Sequence, residues 1–209
     1  MRPDPEQFRL PLALKLVFTA WIVLWAPSVV IMLGPQNFLW ACNLANFFIL
    51  IGLWLNSRFL LSTQWLMVSL LGLFWGIDLA TAWLVGVHPI GGTAYMLDPD
   101  FPTSAKLLSL YHLFLPVVSG YAVYRLGYDR RALPWQAAFV AVLVPASWWL
   151  TEPERNINLA HEAVLIGMGD WPTVIYLPVL LVGWLVVLLL PVHLLSAWLQ
   201  RRGVLGQSR

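Results

Sequence analysis

The sequence predicts an all-α protein, a polytopic six-transmembrane-helix bundle that forms a single integral membrane domain over residues 1–209. Three observations predict it. The chain is 60% apolar and only 11% charged, against about 45–50% and about 25% in ordinary globular proteins. Its mean hydropathy is +0.75, so there are too few polar side chains to cover a water-facing surface. Apolar runs of bilayer length recur, and basic residues fall on alternate connections between them. A net charge of +2 gives no basis for nucleic-acid binding. The one cysteine, Cys42, excludes a disulfide within the chain.

A spanning helix needs about 20 mostly apolar residues, and six runs qualify. The first extends from about Leu10 to Leu33 and stops at Gly34-Pro35-Gln36-Asn37. Its core is too long for a secretory signal and no small-x-small site precedes Gly34, so it is expected to remain as a helix. The second covers about Phe38 to Leu55, and the third about Phe59 to Val87. A polar connection, His88 to Ser104, leads to the fourth at about Ala105 to Leu126. The fifth runs from about Pro134 to Leu150 and the sixth from about Trp171 to Leu199. Between those two, Thr151 to Asp170 has room for a short interfacial helix.

Charge sets the direction. Under six spans Arg2, Arg9, Lys15, Arg58, Arg125, Arg130, Arg131, Arg201, Arg202 and Arg209 share one side. Lys106 and Arg155 fall on the other, with Asp98, Asp100, Glu152, Glu154, Glu162 and Asp170. The positive-inside rule then predicts both termini cytoplasmic, in a multi-pass protein of the inner (plasma) membrane. Trp40, Trp83, Trp135, Trp148, Trp149, Trp171 and Trp198 lie near run ends, as an aromatic belt would. Pro27, Pro116, Pro145, Pro178 and Pro191 lie inside runs, where each removes a backbone bond that neighbours must offset.

Ionisable groups inside apolar spans are functional candidates because hydrocarbon penalises them. Lys15 can snorkel to the headgroups, and His193 sits near a span end. Cys42, Asp78 and His112 differ: counted from their external span ends they lie about 6, 13 and 10 Å deep, all in the outer half. Asn46 is four residues from Cys42 and shares its helix face, with Asn43 one position round. A thiol beside an imidazole makes a nucleophile and base. A carboxylate fixes the imidazole tautomer, and asparagine amides donate to an oxyanion. Cys42 is thus the expected nucleophile, His112 the base, Asp78 the orienting group, and Asn43 or Asn46 the oxyanion support. A membrane lipid ester entering laterally is the expected substrate. The competing reading is structural: the cysteine a small filler, the histidine and aspartate packing partners, in an assembly partner or small-solute transporter. Metal binding by His112, His161, Glu162 and Asp78 lacks any His-x-x-x-His or Glu-x-x-His spacing, so no metal or cofactor is expected.

Four short motifs sharpen the enzyme reading. Trp40-Ala41-Cys42-Asn43-Leu44, Phe74-Trp75-Gly76, Tyr111-His112, and Asn156-Ile157-Asn158 followed by Gly169-Asp170-Trp171-Pro172 occur in that order. Together they resemble the bacterial YwaF-like integral membrane family, over roughly Phe38 to Leu195. That family is related to eukaryotic transmembrane protein 164, a lipid acyltransferase, and distantly to the androgen-induced membrane hydrolases. The resemblance implies an acyl-carrying role for Cys42 and a base role for His112, and it adds Asn158 to the substrate-binding or oxyanion set. The family's Pro-Leu-His-Leu before the cysteine is replaced by Asn37-Phe38-Leu39-Trp40-Ala41, and Asp78 has no counterpart in it.

Overall fold

A computed structural model describes residues 9–162 and 171–206; Arg2, Gly169, Asp170 and Arg209 lie outside the described residues. Among the described residues the chain is helical with no strand. Helix α1 spans Leu12–Leu33, α2 Ala41–Leu55, α3 Arg58–Val85, and the short α4 Ala94–Leu97. Helices α5 (Thr103–Ser109) and α6 (Tyr111–Leu126) form one broken rod, followed by α7 (Ala132–Leu150). A final rod joins α8 (Thr173–Gly183), a π-helical stretch Trp184–Leu189 and α9 (Leu190–Arg201). Among the described residues five helices or rods are long and apolar enough to cross a membrane, and α2 is a shorter apolar helix.

Burial is inverted relative to a water-soluble fold. Large apolar side chains such as Ile31 (82% exposed) and Val174 (78%) point outward. Asn46, Asp78, Ser119 and Ser147, each 0% exposed, point into the bundle. Exposed hydrocarbon over whole helices needs an apolar medium, and polar groups retreat to where protein can bond them. The tryptophans divide accordingly. Trp83, Trp135, Trp149 and Trp198 are exposed as belt residues, whereas Trp25 is fully buried.

Helix α3 is the central post, packing most on α6, then on α2 and α7. The ends of α2 and α3 are locally written. Asn56 takes the left-handed conformation (φ 47°) that closes α2, and the Ser57 hydroxyl accepts from Leu60 N at 3.2 Å to cap α3. Connections then gather at two ends. At the arginine-rich end Leu10 N donates to Asn56 Oδ1 (2.8 Å), Arg58 bonds the Tyr128 carbonyl, and Tyr128 N donates to Gln200 Oε1 (2.8 Å). At the acidic end Arg155 Nη1 donates to the Leu33 carbonyl (2.8 Å), Lys106 bonds the Asp98 carbonyl, and Asn158 joins residues 39 and 41.

The boundaries expected from the sequence shift in three places. Helix α2 starts at Ala41 rather than Phe38, because Pro35–Leu39 winds as a 3-10 turn. The fourth run begins at Thr103 and breaks at Leu110. The connection after α7 holds two 3-10 turns, Pro153–Arg155 and Ile157–Leu159, in place of an interfacial helix over the described part.

Candidate active site: a thiol and an imidazole between α2 and α6

Cys42 is the second residue of α2, so its thiol lies at the positive end of the helix dipole. Asn158 fixes that helix start. Its Oδ1 accepts from Ala41 N at 2.9 Å, and its Nδ2 donates to the Leu39 carbonyl and to Ser147 Oγ, both at 2.8 Å. The asparagine adopts φ 56°, a left-handed conformation that Asn tolerates better than most residues. All its side-chain bonding is internal, so Asn158 supports the cysteine's helix and presents no donor to a substrate.

His112 comes from α6, and its Nε2 stands 3.3 Å from Cys42 Sγ across a sequence separation of 70. The other ring nitrogen, Nδ1, faces the Ser109 carbonyl at 2.7 Å. A carbonyl only accepts, so Nδ1 carries the proton and Nε2 presents its lone pair to the thiol. The helix break makes this possible. In an unbroken α-helix Leu113 N would donate to Ser109; here it donates to the Leu110 carbonyl at 3.0 Å, and Ser109's carbonyl is released to the ring. Aromatic faces then hold the imidazole plane. Trp75 stacks on it with centroids 4.8 Å apart and planes 11° apart, and Tyr111 lies on it at 4.1 Å and 24°.

Tyr111 also reaches the sulfur. Its hydroxyl lies 3.2 Å from Cys42 Sγ and bonds Asn43 Oδ1, so one phenol proton faces two acceptors. On the acidic side, α4 supplies Tyr95, whose hydroxyl accepts from Trp75 Nε1 at 3.3 Å. Burial raises the Tyr95 phenol above its ordinary value, which keeps it protonated.

Three further expectations differ from the structure, after that for Asn158. Asp78 does not touch His112. Its carboxylate accepts from Ile90 N (2.7 Å), Gly91 N (3.1 Å), Thr93 N (2.8 Å) and Thr93 Oγ1 (2.6 Å), with His88 Nδ1 at 3.6 Å. Those donors make the buried carboxylate the anchor of the 90–93 loop on α3. Asn46 is spent on packing: Trp21 Nε1 donates to its Oδ1 at 2.9 Å, and its Nδ2 donates to the Cys42 carbonyl at 3.2 Å. Asn43 donates its Nδ2 to the Asn37 carbonyl at 2.6 Å and offers only its oxygen to Tyr111. Each amide thus has one N–H and its oxygen engaged by protein neighbours, which holds both side chains as packing partners beside Cys42.

The groups that sequence reasoning left without a role are Ser109, Tyr111, Trp75 and Gly72. Trp75 and Tyr111 were visible as motif residues beside the candidate histidine. Ser109 acts through its backbone, which carries no sequence signal. Gly72 lies where α3 crosses α6: a Cβ there would stand 2.5 Å from Pro116 Cγ and against the His112 carbonyl.

Among the described residues no group of three His, Cys, Asp or Glu side chains is arranged to hold a metal ion. No family model, curated protein or solved structure matches the chain. Fold and site therefore define its class by themselves: an all-helical protein with membrane-length apolar helices and a thiol–imidazole pair between them.

Proposed function

We propose that this protein is a membrane-embedded lipid acyltransferase or lipid-ester hydrolase, with Cys42 as nucleophile and His112 as general base. The observation that carries the reading is the 3.3 Å approach of Sγ to Nε2, with Nδ1 already committed to Ser109. Nucleophile, base and orienting acceptor follow triad logic, a backbone carbonyl standing where a carboxylate usually does.

The chemistry balances without a cofactor. His112 Nε2 takes the thiol proton, and the thiolate attacks the ester carbonyl carbon, forming a C–S bond. The tetrahedral intermediate collapses with cleavage of the C–O bond, and the departing alcohol takes the proton from Nε2. Water, or the hydroxyl of an acceptor lipid, then gives its proton to Nε2 and attacks the thioester. The C–S bond breaks and the sulfur recovers its proton. The Tyr111 hydroxyl is the side-chain donor nearest the reacting atoms, in place of the amides expected from the sequence. These roles accord with the resemblance to the YwaF-like family and its lipid-modifying relatives.

Six spans with both termini cytoplasmic, in the plasma membrane, complete the reading. Helix α2 supports the sixth span, because it and the turn before it pack along the middle of α1. Trp54 donates to Thr19 Oγ1 at 2.9 Å near one end, and Phe38 and Phe47 lie 5.8 Å from Trp25 near the other. The arginines gathered around Arg58, Tyr128 and Gln200 mark the cytoplasmic end by the positive-inside rule.

The test is covalent labelling of purified protein with an acyl-type activity probe, read by peptide mass spectrometry. Cys42 carries the label, and His112→Ala loses most of it, on the order of a hundredfold in rate. Labelling of His112→Ala at the unaltered rate overturns the mechanism.

A further inference from the structure

A groove of about 560 Å³ opens on the bundle surface between α3, α6 and α9. Its lining is hydrocarbon and tryptophan apart from Ser69 and one titratable side chain, His112. Ser69 is already bonded to the Trp65 carbonyl. Gly72 and His112 belong both to this groove and to a seam, too narrow for a water molecule, that they form with Cys42, Val68, Leu71 and Leu115. The groove therefore reaches the reactive pair through His112, with Cys42 next behind the closed seam.

Its two arms differ. Toward the acidic end it runs past Gly76 and Ala80. Toward the arginine-rich end it runs between α3 and α9 and meets Trp65, about 10 Å along α3 from Gly72. Trp65 is a fixed wall. Its Nε1 donates to Ser196 Oγ of α9 at 2.9 Å, and its ring lies so close to Gly120 of α6 that a Cβ there would sit 2.8 Å from it. The helices around the groove are among those long and apolar enough to cross a membrane, so the medium at its mouth is lipid chain.

Resting on the Cys42–His112 reading, we infer that this groove is an acyl-chain ruler. It takes the single hydrocarbon chain of a lipid ester, with the carbonyl beside His112 where parting of the seam exposes Cys42, the chain laid from Gly72 toward Trp65, and the alcohol portion toward Ala80. Trp65, with Leu195 beside it, sets the longest chain that fits. An apolar slot with no free polar group recognises length and nothing else, and each methylene that no longer fits costs about tenfold.

A series of N-alkyl iodoacetamides from methyl to octadecyl tests this on the full chain in lipid nanodiscs, reading Cys42 alkylation rates by intact mass. Plain iodoacetamide reports the thiol itself, and the alkyl series reports the groove. Wild type accelerates with chain length and then falls at a cut-off. Trp65→Ala moves the cut-off to longer chains while the iodoacetamide rate stays within about twofold, less than one misfitted methylene. Leu195→Ala, a surface change that leaves the Trp65 bond in place, moves it the same way. A wild-type series without a cut-off, or a cut-off unmoved in both variants, overturns the ruler and leaves the nucleophile standing. Failure of plain iodoacetamide to react overturns the nucleophile, and the ruler with it.

Discussion

Asn158 and Asp78 show how a polar side chain inside an apolar bundle is read wrongly from sequence and rightly from its partners. Both are essentially fully buried, and both bond mainly to backbone, with one hydroxyl each, Ser147 for Asn158 and Thr93 for Asp78. Asn158→Ala leaves Ala41 N and the Leu39 carbonyl unpartnered at the start of the cysteine's helix. The expected cost is about 3 kcal/mol, measured as a fall in the unfolding midpoint in detergent, with slower Cys42 labelling. Asp78→Asn points an amide at donors that need acceptors, so segment 86–102 detaches. Proteolysis within that segment accelerates, while the Cys42 labelling rate does not fall. A fall to the level of His112→Ala would return Asp78 to the orienting role. Cys42 and His112 were legible because depth along a span is arithmetic. Ser109 was not, because a carbonyl freed by a helix break leaves no trace in residue type. The asparagines are a related case: sequence places an amide on a face but says nothing about which neighbours it bonds.

At the scale of elements, the site is a product of how α3 crosses α6. Pro116 has no N–H to give the His112 carbonyl, and Gly72 lets α3 come up against that carbonyl and the proline ring. Gly72→Ala puts a methyl into backbone and ring atoms that cannot swing away, an overpacking worth about 1–3 kcal/mol. The helices separate, the Sγ–Nε2 distance grows, and Cys42 labelling slows more than tenfold (about 1.4 kcal/mol). Gly183→Ala in α8 is the matched control. No atom beyond its chain neighbours and its own helix backbone lies within 4 Å of its added Cβ, so labelling and unfolding midpoint hold or rise slightly. Hydropathy placed the helices, because a run's length and polarity fix whether it suits a bilayer. It did not place the break at Leu110, where no proline or glycine marks the spot. It did not see that Pro35, one residue after Gly34, begins a 3-10 turn that delays α2 to Ala41.

For the whole molecule, the distribution of charge and the hydrogen bonds between connections point to one arrangement. Arg58, Tyr128 and Gln200 meet at one end, while Leu33, Arg155 and Asp98 lie at the other. The proposed even number of crossings would keep those sets apart, and it would require α2, only 15 residues long, to cross. Fifteen residues rise about 22 Å, short of a hydrocarbon core of about 30 Å. The deficit falls where the 35–39 turn and Asn158 satisfy the backbone within protein, so no bare helix end meets lipid. In a Cys42→Ala background, single cysteines at Asp100 and Glu154 should react with a membrane-impermeant maleimide applied to intact cells. Cysteines at Arg131 and Arg202 should react only after permeabilisation. If α2 instead dipped into the bilayer and returned to the side it came from, the chain would cross five times. Arg58 would then leave the side shared by Arg9, and cysteines at Arg9 and Arg131 would react from opposite faces. The positive-inside bias disfavours that outcome, because six crossings keep Arg9 and Lys15 on the side of Arg58, Arg125, Arg130 and Arg131, whereas five would put them with the acidic connections.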